Sequence, residues 1–180
     1  MNRNLKRNEK WYWLVVTLVE LVLFISSSMT YKQQTTIPFL EKHLGSNNRP
    51  FYDQLKNAGF QYGDKYQSIK NDGYFNFIEF FIRKGAHFGT YFILGLFLCL
   101  ALYTYFKHNP FLQIFTPWMM ATGLAAFDEF HQGLTGGRSP MVDDVILDSV
   151  GALTAILITM LIIFLRRRHQ KKSHPFSMEY

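Results

Sequence analysis

The chain has 180 residues and a formal net charge of +6, and its mean hydropathy of −0.02 resembles that of a soluble protein. That average hides four runs with the roughly 20 mostly apolar residues that a membrane-spanning helix needs. They cover residues 11–29, 82–106, 111–130 and 145–165. The basic charge lies mostly in the two tails, where it suits anionic lipid head groups, and no DNA- or RNA-binding motif is present. The composition therefore favours a lipid-bilayer protein and argues against a nucleic-acid partner.

The first run, residues 11–29, is too long for the apolar core of a signal peptide, and no small-residue cleavage motif follows it. We expect it to remain as a membrane anchor. Glu20 lies about halfway along this run, and Ser26, Ser27 and Ser28 lie at its far end. A carboxyl group at that depth is costly in lipid, so it either fixes helix packing, which its distance from the other charges favours, or serves function.

Residues 30–78 are too polar to span a membrane and are predicted to form an extracytoplasmic loop that caps the bundle. Short amphipathic helices are expected at residues 38–44 and 51–60, with Gly45 and Gly59 as their stop signals. Four further residues indicate a small turn: Tyr62, Gly63, Asp64 and Tyr66.

The other three runs carry ionisable residues at ends that meet in an antiparallel bundle. Because each helical residue advances by about 100°, the members of each group share a face. The groups are Arg83, Lys84, His87 and Tyr91 on the second run; Asp128, His131 and Gln132, with Glu129 at the margin, on the third; and Asp144, Asp148 and Gly151 on the fourth. Ionisable groups near lipid mark functional sites, so we predict one polar pocket at this end.

Three smaller features complete the pattern. The Gly- and Pro-rich link at residues 133–140 predicts a tight turn that either holds Arg138 over the pocket or simply exposes it. Gly151 and Ala155 offer a groove for close helix approach. Cys99 is the single cysteine, so no intramolecular disulfide forms, and its position within an apolar run favours packing.

Basic residues flank the first and last runs, and Lys and Arg in short flanking segments stay in the cytoplasm. We therefore predict a single all-α domain, residues 1–180, that forms a four-transmembrane-helix antiparallel bundle. Both termini are expected to be cytoplasmic, including the basic tail at residues 166–180, and the polar pocket faces outward.

The pocket residues fit several kinds of function. Six could carry general acid–base catalysis: His87, Asp128, Glu129, His131, Asp144 and Asp148. Five could bind the phosphate or carboxylate of a ligand: Arg83, Lys84, Tyr91, Gln132 and Arg138. No nucleophile stands out. A zinc or manganese site with His131, Asp128, Asp144 and Asp148 as ligands is less favoured, because the spacings match no metal signature, so neither a metal nor a cofactor is assigned.

Three other interpretations stay open. The charges could pair with one another and merely close the bundle. The pocket could bind a lipid-linked or cell-wall precursor without chemistry, or the loop could dock an envelope enzyme. A small-solute transporter is less favoured, because carriers usually place polar sites near the membrane midplane.

Three ordered blocks resemble the signature of the VanZ-like family, named for a teicoplanin-resistance protein. They are Arg83-Lys84-Gly-Ala-His87-Phe-Gly-Thr-Tyr91, Asp128-Glu129-Phe-His131-Gln132, and Gly137-Arg138 with Asp144-Val-Ile-Leu-Asp148-Ser-Val-Gly151. The likeness covers roughly residues 80–160. It implies a multi-pass membrane protein of a bacterial, Gram-positive cell envelope, linked to glycopeptide antibiotic resistance, with no settled mechanism. Thr90 stands where many members carry Glu, so a role for that carboxylate is absent here or supplied elsewhere.

Overall fold

The structure, a computed structural model, describes residues 8–45, 49–135 and 140–173. Four long helices dominate it, and a two-stranded antiparallel hairpin is its β-structure, so the predicted all-α class fits. In chain order the elements are α1 (Glu9–Ser27), α2 (Tyr31–Gln34), α3 (Ile37–Leu44), α4 (Tyr52–Leu55), β1 (Gly59–Tyr62), β2 (Lys65–Ser68), α5 (Ile69–Asp72), α6 (Tyr74–Leu102), α7 (Pro110–Leu134) and α8 (Val142–Ser173).

Three helices are long and apolar enough to cross a membrane: α1, α6 and the Val142–Gln170 part of α8. This finding supports a membrane protein. Helix α7, which corresponds to the third predicted run, is long enough but less apolar, because Gln113, Thr116 and Asp128 interrupt it. Length and composition therefore support three of the four predicted spans, and not the third, at residues 111–130.

Helix α6 lies at the centre of the bundle and contacts α1, α7 and, most extensively, α8. Small residues permit the close α6–α8 contact, as predicted for Gly151. A methyl group added at Gly151 would lie 2.7 Å from the Phe88 carbonyl oxygen, and one added at Gly95 would lie 2.7 Å from the Ala152 Cα atom. The core around this contact includes Tyr91, Leu94, Leu98, Cys99, Ala121, Ala125, Ala152 and Ala155, each at most 1% exposed.

Side-chain contacts show which helix ends lie together at each end of the bundle. Tyr105, just after α6, donates to Glu9 at the start of α1, and Arg167 near the end of α8 lies over the Tyr103 ring, 5.3 Å from its centroid. We call this the basic end. At the opposite end, Ser27 of α1 donates to Asp128 of α7. This second end carries the predicted cluster and is called the polar end.

The segment from α2 to α5, which we call the cap (residues 31–45 and 49–73), covers the polar end. The prediction of a helix at residues 51–60 was wrong, because α4 ends at Leu55 and Gly59 begins β1. The hairpin pairs Gly59 with Ser68 and Tyr62 with Lys65, around the predicted turn. The Tyr66 ring lies over the Gly59 Cα atom, and Gly59 is a strand residue here rather than a helix stop.

Aromatic residues attach the cap to α6. Helix α6 begins at Tyr74, eight residues before the predicted start of the second run, because its first turns are used for this contact. The Phe60 ring of β1 lies 5.5 Å from the Phe80 ring and 5.6 Å from the Phe81 ring, centroid to centroid. The Tyr74 hydroxyl donates to the Pro50 carbonyl at 2.8 Å. These contacts hold the hairpin beside the polar end of the bundle.

Candidate functional site

A cleft of about 770 Å³ lies between the cap and the polar ends of α6, α7 and α8. Three of the predicted site residues line it, namely Arg83, Gln132 and Asp144. The other lining residues are Tyr31, Tyr62, Gly63, Asp64, Lys65, Gln67, Asn76, Glu79, Phe80, Pro140, Met141, Val142 and Asp143. The cap thus supplies six of the sixteen residues that line the cleft.

Asp144 joins the cap to two helices at this cleft. Its Oδ1 atom accepts a hydrogen bond from the Tyr62 hydroxyl and forms an ion pair with Lys84. The Lys84 ammonium also lies 4.9 Å from the centroid of the Tyr62 ring. Burial, and then the hydrogen bond to Asp144, raise the pKa of Tyr62, so this hydroxyl stays protonated as a donor. Part of the predicted cluster is therefore paired internally.

Glu79 is a second junction, which the sequence pattern did not single out. It is 2% exposed, and its Oε2 atom accepts a hydrogen bond from the Tyr31 hydroxyl at 2.8 Å. Its Oε1 atom accepts from the Thr35 hydroxyl at 2.8 Å and from the backbone N–H and hydroxyl of Thr36. The sequence feature that could have pointed to Glu79 is its position as an acidic residue in an aromatic stretch, one helical turn before Arg83. Its partners lie more than 40 residues away, so they could not be read from that signal.

Arg83 and Lys84 turn to different partners, although they are adjacent in sequence. The Arg83 guanidinium carbon lies 5.1 Å from the centroid of the Tyr31 ring, on the cap side of the cleft. Burial and the hydrogen bond to Glu79 raise the pKa of Tyr31, whereas the positive charge of Arg83 opposes that shift. Arg83 is thus a half-buried cation in the cleft, while Lys84 is engaged with Asp144.

A buried polar layer lies beside the cleft. His87 Nδ1 lies 3.3 Å from Asp148 Oδ2, and with that nitrogen protonated His87 donates to the carboxylate. Asp148 is 1% exposed and Tyr91 is fully buried. Three buried atoms of this layer have no hydrogen-bond partner in the described part of the chain: Asp148 Oδ1, the Tyr91 hydroxyl and Glu20 Oε1. None of these residues was found among the cleft lining, so the single predicted pocket divides into an open cleft and a buried layer.

The acidic residues at the end of α7 serve as hydrogen-bond acceptors between helices. Asp128 accepts from Ser27 of α1 and, at 2.7 Å, from Gln132 Nε2. Glu129 Oε2 accepts from the Met141 backbone N–H at 3.0 Å, directly before α8. Both carboxyl groups are buried, at 6% and 4% exposed. They hold the ends of α1, α7 and α8 together.

His131, like Asp128, faces α1. Its ring stacks on Phe24 of α1, with the centroids 4.7 Å apart, and it is half-buried. The structure does not bring it to the His87–Asp148 pair, although the helical pattern placed it with Asp128 and Gln132. Arg138, the remaining predicted ligand-binding residue, lies outside the described residues.

The arrangement supports two kinds of chemistry. The cleft offers a cation, carboxylates, amides and aromatic rings to a polar ligand, while the His87–Asp148 pair has the form of a base oriented by a carboxylate. Across residues 8–45, 49–135 and 140–173, no group of three or more His, Cys, Asp and Glu side chains is placed to hold a metal ion.

The comparisons with known proteins agree with the sequence blocks. The family model described as VanZ/LLP1 matches residues 11–164, which include α1, the cap and most of α8. The chain matches no curated protein and no solved structure. Because the family match covers well over half of the chain and includes every helix that lines the cleft, this membrane protein belongs to the VanZ/LLP1 family.

Proposed function

We propose that this VanZ-like protein binds, or binds and modifies, a lipid-linked or cell-wall component in its cleft and so lowers susceptibility to teicoplanin-type glycopeptides. The observation that carries the proposal is the cleft itself. Its volume of about 770 Å³ lies within the range of roughly 300–1,000 Å³ that ligand pockets occupy.

The lining of the cleft suits a polar head group better than an acyl chain. Arg83 offers donors for a phosphate or carboxylate, which guanidinium groups bind in a bidentate manner. Gln67, Asn76 and Gln132 add amide groups that both donate and accept, as sugar hydroxyls and peptide groups require. The rings of Tyr31 and Tyr62 supply flat apolar walls on the cap side.

The orientation of the protein in the membrane would give the cleft access to such a component. Basic residues lie at the end of α8 and before α1, and Tyr105 with Glu9 and Tyr103 with Arg167 bring those segments to the same end of the bundle. With that basic end in the cytoplasm, as the positive-inside rule expects, the cap and the cleft face outward. In a bacterial cell membrane this is where cell-wall precursors are displayed.

This orientation requires α7 to cross the bilayer as well. Its 25 residues span about 37 Å, more than the roughly 30 Å hydrocarbon core. Its exposed side chains are large and apolar, including Phe115, Met119 and Phe127, whereas its polar residues Gln113 and Asp128 are buried. That inside-out distribution suits lipid outside and protein inside, and explains why average hydropathy understates this helix.

Catalysis is the second candidate function, and the His87–Asp148 contact favours it. A carboxylate on Nδ1 leaves Nε2 to accept or release a proton, as in general base catalysis. Binding alone needs no such pair. Replacement of His87 therefore separates the two versions of the proposal.

The test is the teicoplanin and vancomycin susceptibility of a susceptible Gram-positive host that expresses the wild-type chain or a variant at equal membrane abundance. We expect the wild type to raise the inhibitory concentration of teicoplanin selectively. Arg83→Gln should remove most of that protection, because the cleft loses the positively charged guanidinium that lines it beside Tyr31. Lys42→Gln, an equivalent charge change on the exposed face of α3, is the matched control and should protect fully.

Two further outcomes assign the role of the site. If His87→Gln abolishes protection while Arg83→Gln only weakens it, catalysis is supported; equal, graded losses support binding alone. If Arg83→Gln protects as well as the wild type, the cleft is not the working site. If the wild type gives no protection, the proposed function is wrong.

A further inference from the structure

Helices α1, α7 and α8 each contribute carboxyl oxygens or carboxyl side chains that are buried in the polar layer. Glu20 of α1, Asp128 and Glu129 of α7, and Asp148 of α8 all act electrostatically on the Tyr91 hydroxyl of α6. Tyr91 is fully buried and forms part of the apolar core with Val16, Leu23 and Leu94. The carboxyl groups therefore meet in a region with little water to screen them.

The positive groups that face this region are too few to balance it. Asp144 also acts on Asp148, so five carboxyl groups interact, whereas the facing cations of the described residues are Lys84 and, when protonated, His87. Arg138 lies outside the described residues, and counting it as a third cation would still leave two negative charges uncompensated. Each unpaired buried charge costs several kcal/mol, so the layer must bind additional positive charge.

The unpartnered atoms show where that charge would be held. The Tyr91 hydroxyl, Glu20 Oε1 and Asp148 Oδ1 are buried and lack a hydrogen-bond partner among the described residues. Ionised carboxylates only accept hydrogen bonds, so the single Tyr91 hydroxyl cannot donate to both carboxylate oxygens. Buried polar atoms are rarely left unpaired, so a further hydrogen-bond donor is needed. A protonated carboxyl group and a bridging water would supply such donors.

We propose that Glu20, Tyr91 and Asp148 form a buried proton-binding site in which at least one of the two carboxyl groups is protonated at neutral pH. Asp148 connects this site to the cleft side of the bundle, because its other oxygen contacts His87. A proton on His87 Nδ1 can thus pass to Asp148 Oδ2, which leaves His87 neutral. This site does not depend on the identity of the ligand in the cleft.

Infrared spectroscopy of the purified full-length chain in lipid nanodiscs tests the proposal without a ligand. Protonated carboxyl groups give a carbonyl-stretch band that ionised carboxylates lack. We expect such a band at pH 7 in the wild type, sensitive to exchange into deuterated water. It should lose intensity or shift in Glu20→Gln and in Asp148→Asn, because neither amide can be protonated there. Glu41→Gln on the exposed surface of α3 is the matched control and should leave the band unchanged.

Circular dichroism confirms the helix content of each variant before the spectra are compared. Should Asp148→Asn fail to fold because His87 loses its partner, Glu20→Gln alone decides, since Glu20 has no hydrogen bond to lose at Oε1. Loss or shift of the band in a folded variant of either residue supports the site. Absence of the band at pH 7, or a band indifferent to the folded variants, overturns it.

Discussion

Glu79→Ala should release the cap from the bundle, because this one side chain accepts the hydrogen bonds of Tyr31, Thr35 and Thr36. Hydrogen bonds to a charged group contribute about 1.5–3 kcal/mol each. The donors on the cap can regain water once it opens, so we count only two bonds at the low end of that range, about 3 kcal/mol in all. At 1.4 kcal/mol for each factor of ten, cap opening should become about 100-fold more frequent.

Hydrogen–deuterium exchange in nanodiscs measures this opening directly. We expect the amides of residues 31–45 to exchange about 100-fold faster in Glu79→Ala, because exchange follows the local opening equilibrium. The core of α8 should be unaffected. Glu41→Ala removes an acidic side chain from the same segment at an exposed position, and it should leave the bundle contact intact. Unchanged exchange in Glu79→Ala would refute the reasoning and show that the Phe60 aromatic contacts alone hold the cap.

Two further measurements address packing and protonation. Gly151→Ala should lower the free energy of unfolding by about 1–3 kcal/mol in thermal denaturation, because the new methyl group meets the Phe88 backbone, whereas Gly123→Ala has open space and should not destabilise. The raised pKa of Tyr62 means that the folded chain holds this proton more tightly than the unfolded chain, so its stabilisation is complete below pH about 10 and is lost as pH rises further. The stability difference between the wild type and Tyr62→Phe should therefore shrink above that pH; a difference that grows there would contradict the assignment.

The helical periodicity of the sequence was sufficient to predict the bundle and its polar end. Apolar runs with ionisable residues at matching ends predicted which helix ends meet, and the Asp144–Lys84 and Asp148–His87 contacts agree with that expectation. The Gly151 groove followed from residue size alone. These features depend on spacing within one helix, which a sequence states directly.

Features that depend on distant partners were not predictable in the same way. The hairpin strands are only four residues each. The Gly59–Tyr66 contact forms only when the strands pair, so nothing in the sequence indicated it and Gly59 was interpreted as a helix stop. Glu79 lies one helical turn before Arg83 on α6, but its hydrogen-bond partners belong to the cap. Helical periodicity does not predict where the cap lies on the bundle, so it did not predict these bonds. His131 and Asp128 both contact α1, which their spacing on α7 allows, but that spacing does not show which α1 residue, Phe24 or Ser27, each of them meets.

The cap also explains why the ionisable residues at the polar end lie in two environments, the open cleft and the buried polar layer. Arg83 and Lys84 differ by one residue, and hence by about 100° around α6, so their side chains leave the helix in different directions. The cap takes Tyr31 to Arg83 on one side and Tyr62 to Asp144, the partner of Lys84, on the other. What remains beneath, His87, Tyr91 and Asp148, is excluded from the cleft and must balance its charge internally. Under the two proposals, Arg83 of α6 contacts the ligand and Asp148 of α8 belongs to the proton-binding site, so variants of these two residues should report on different properties of the protein.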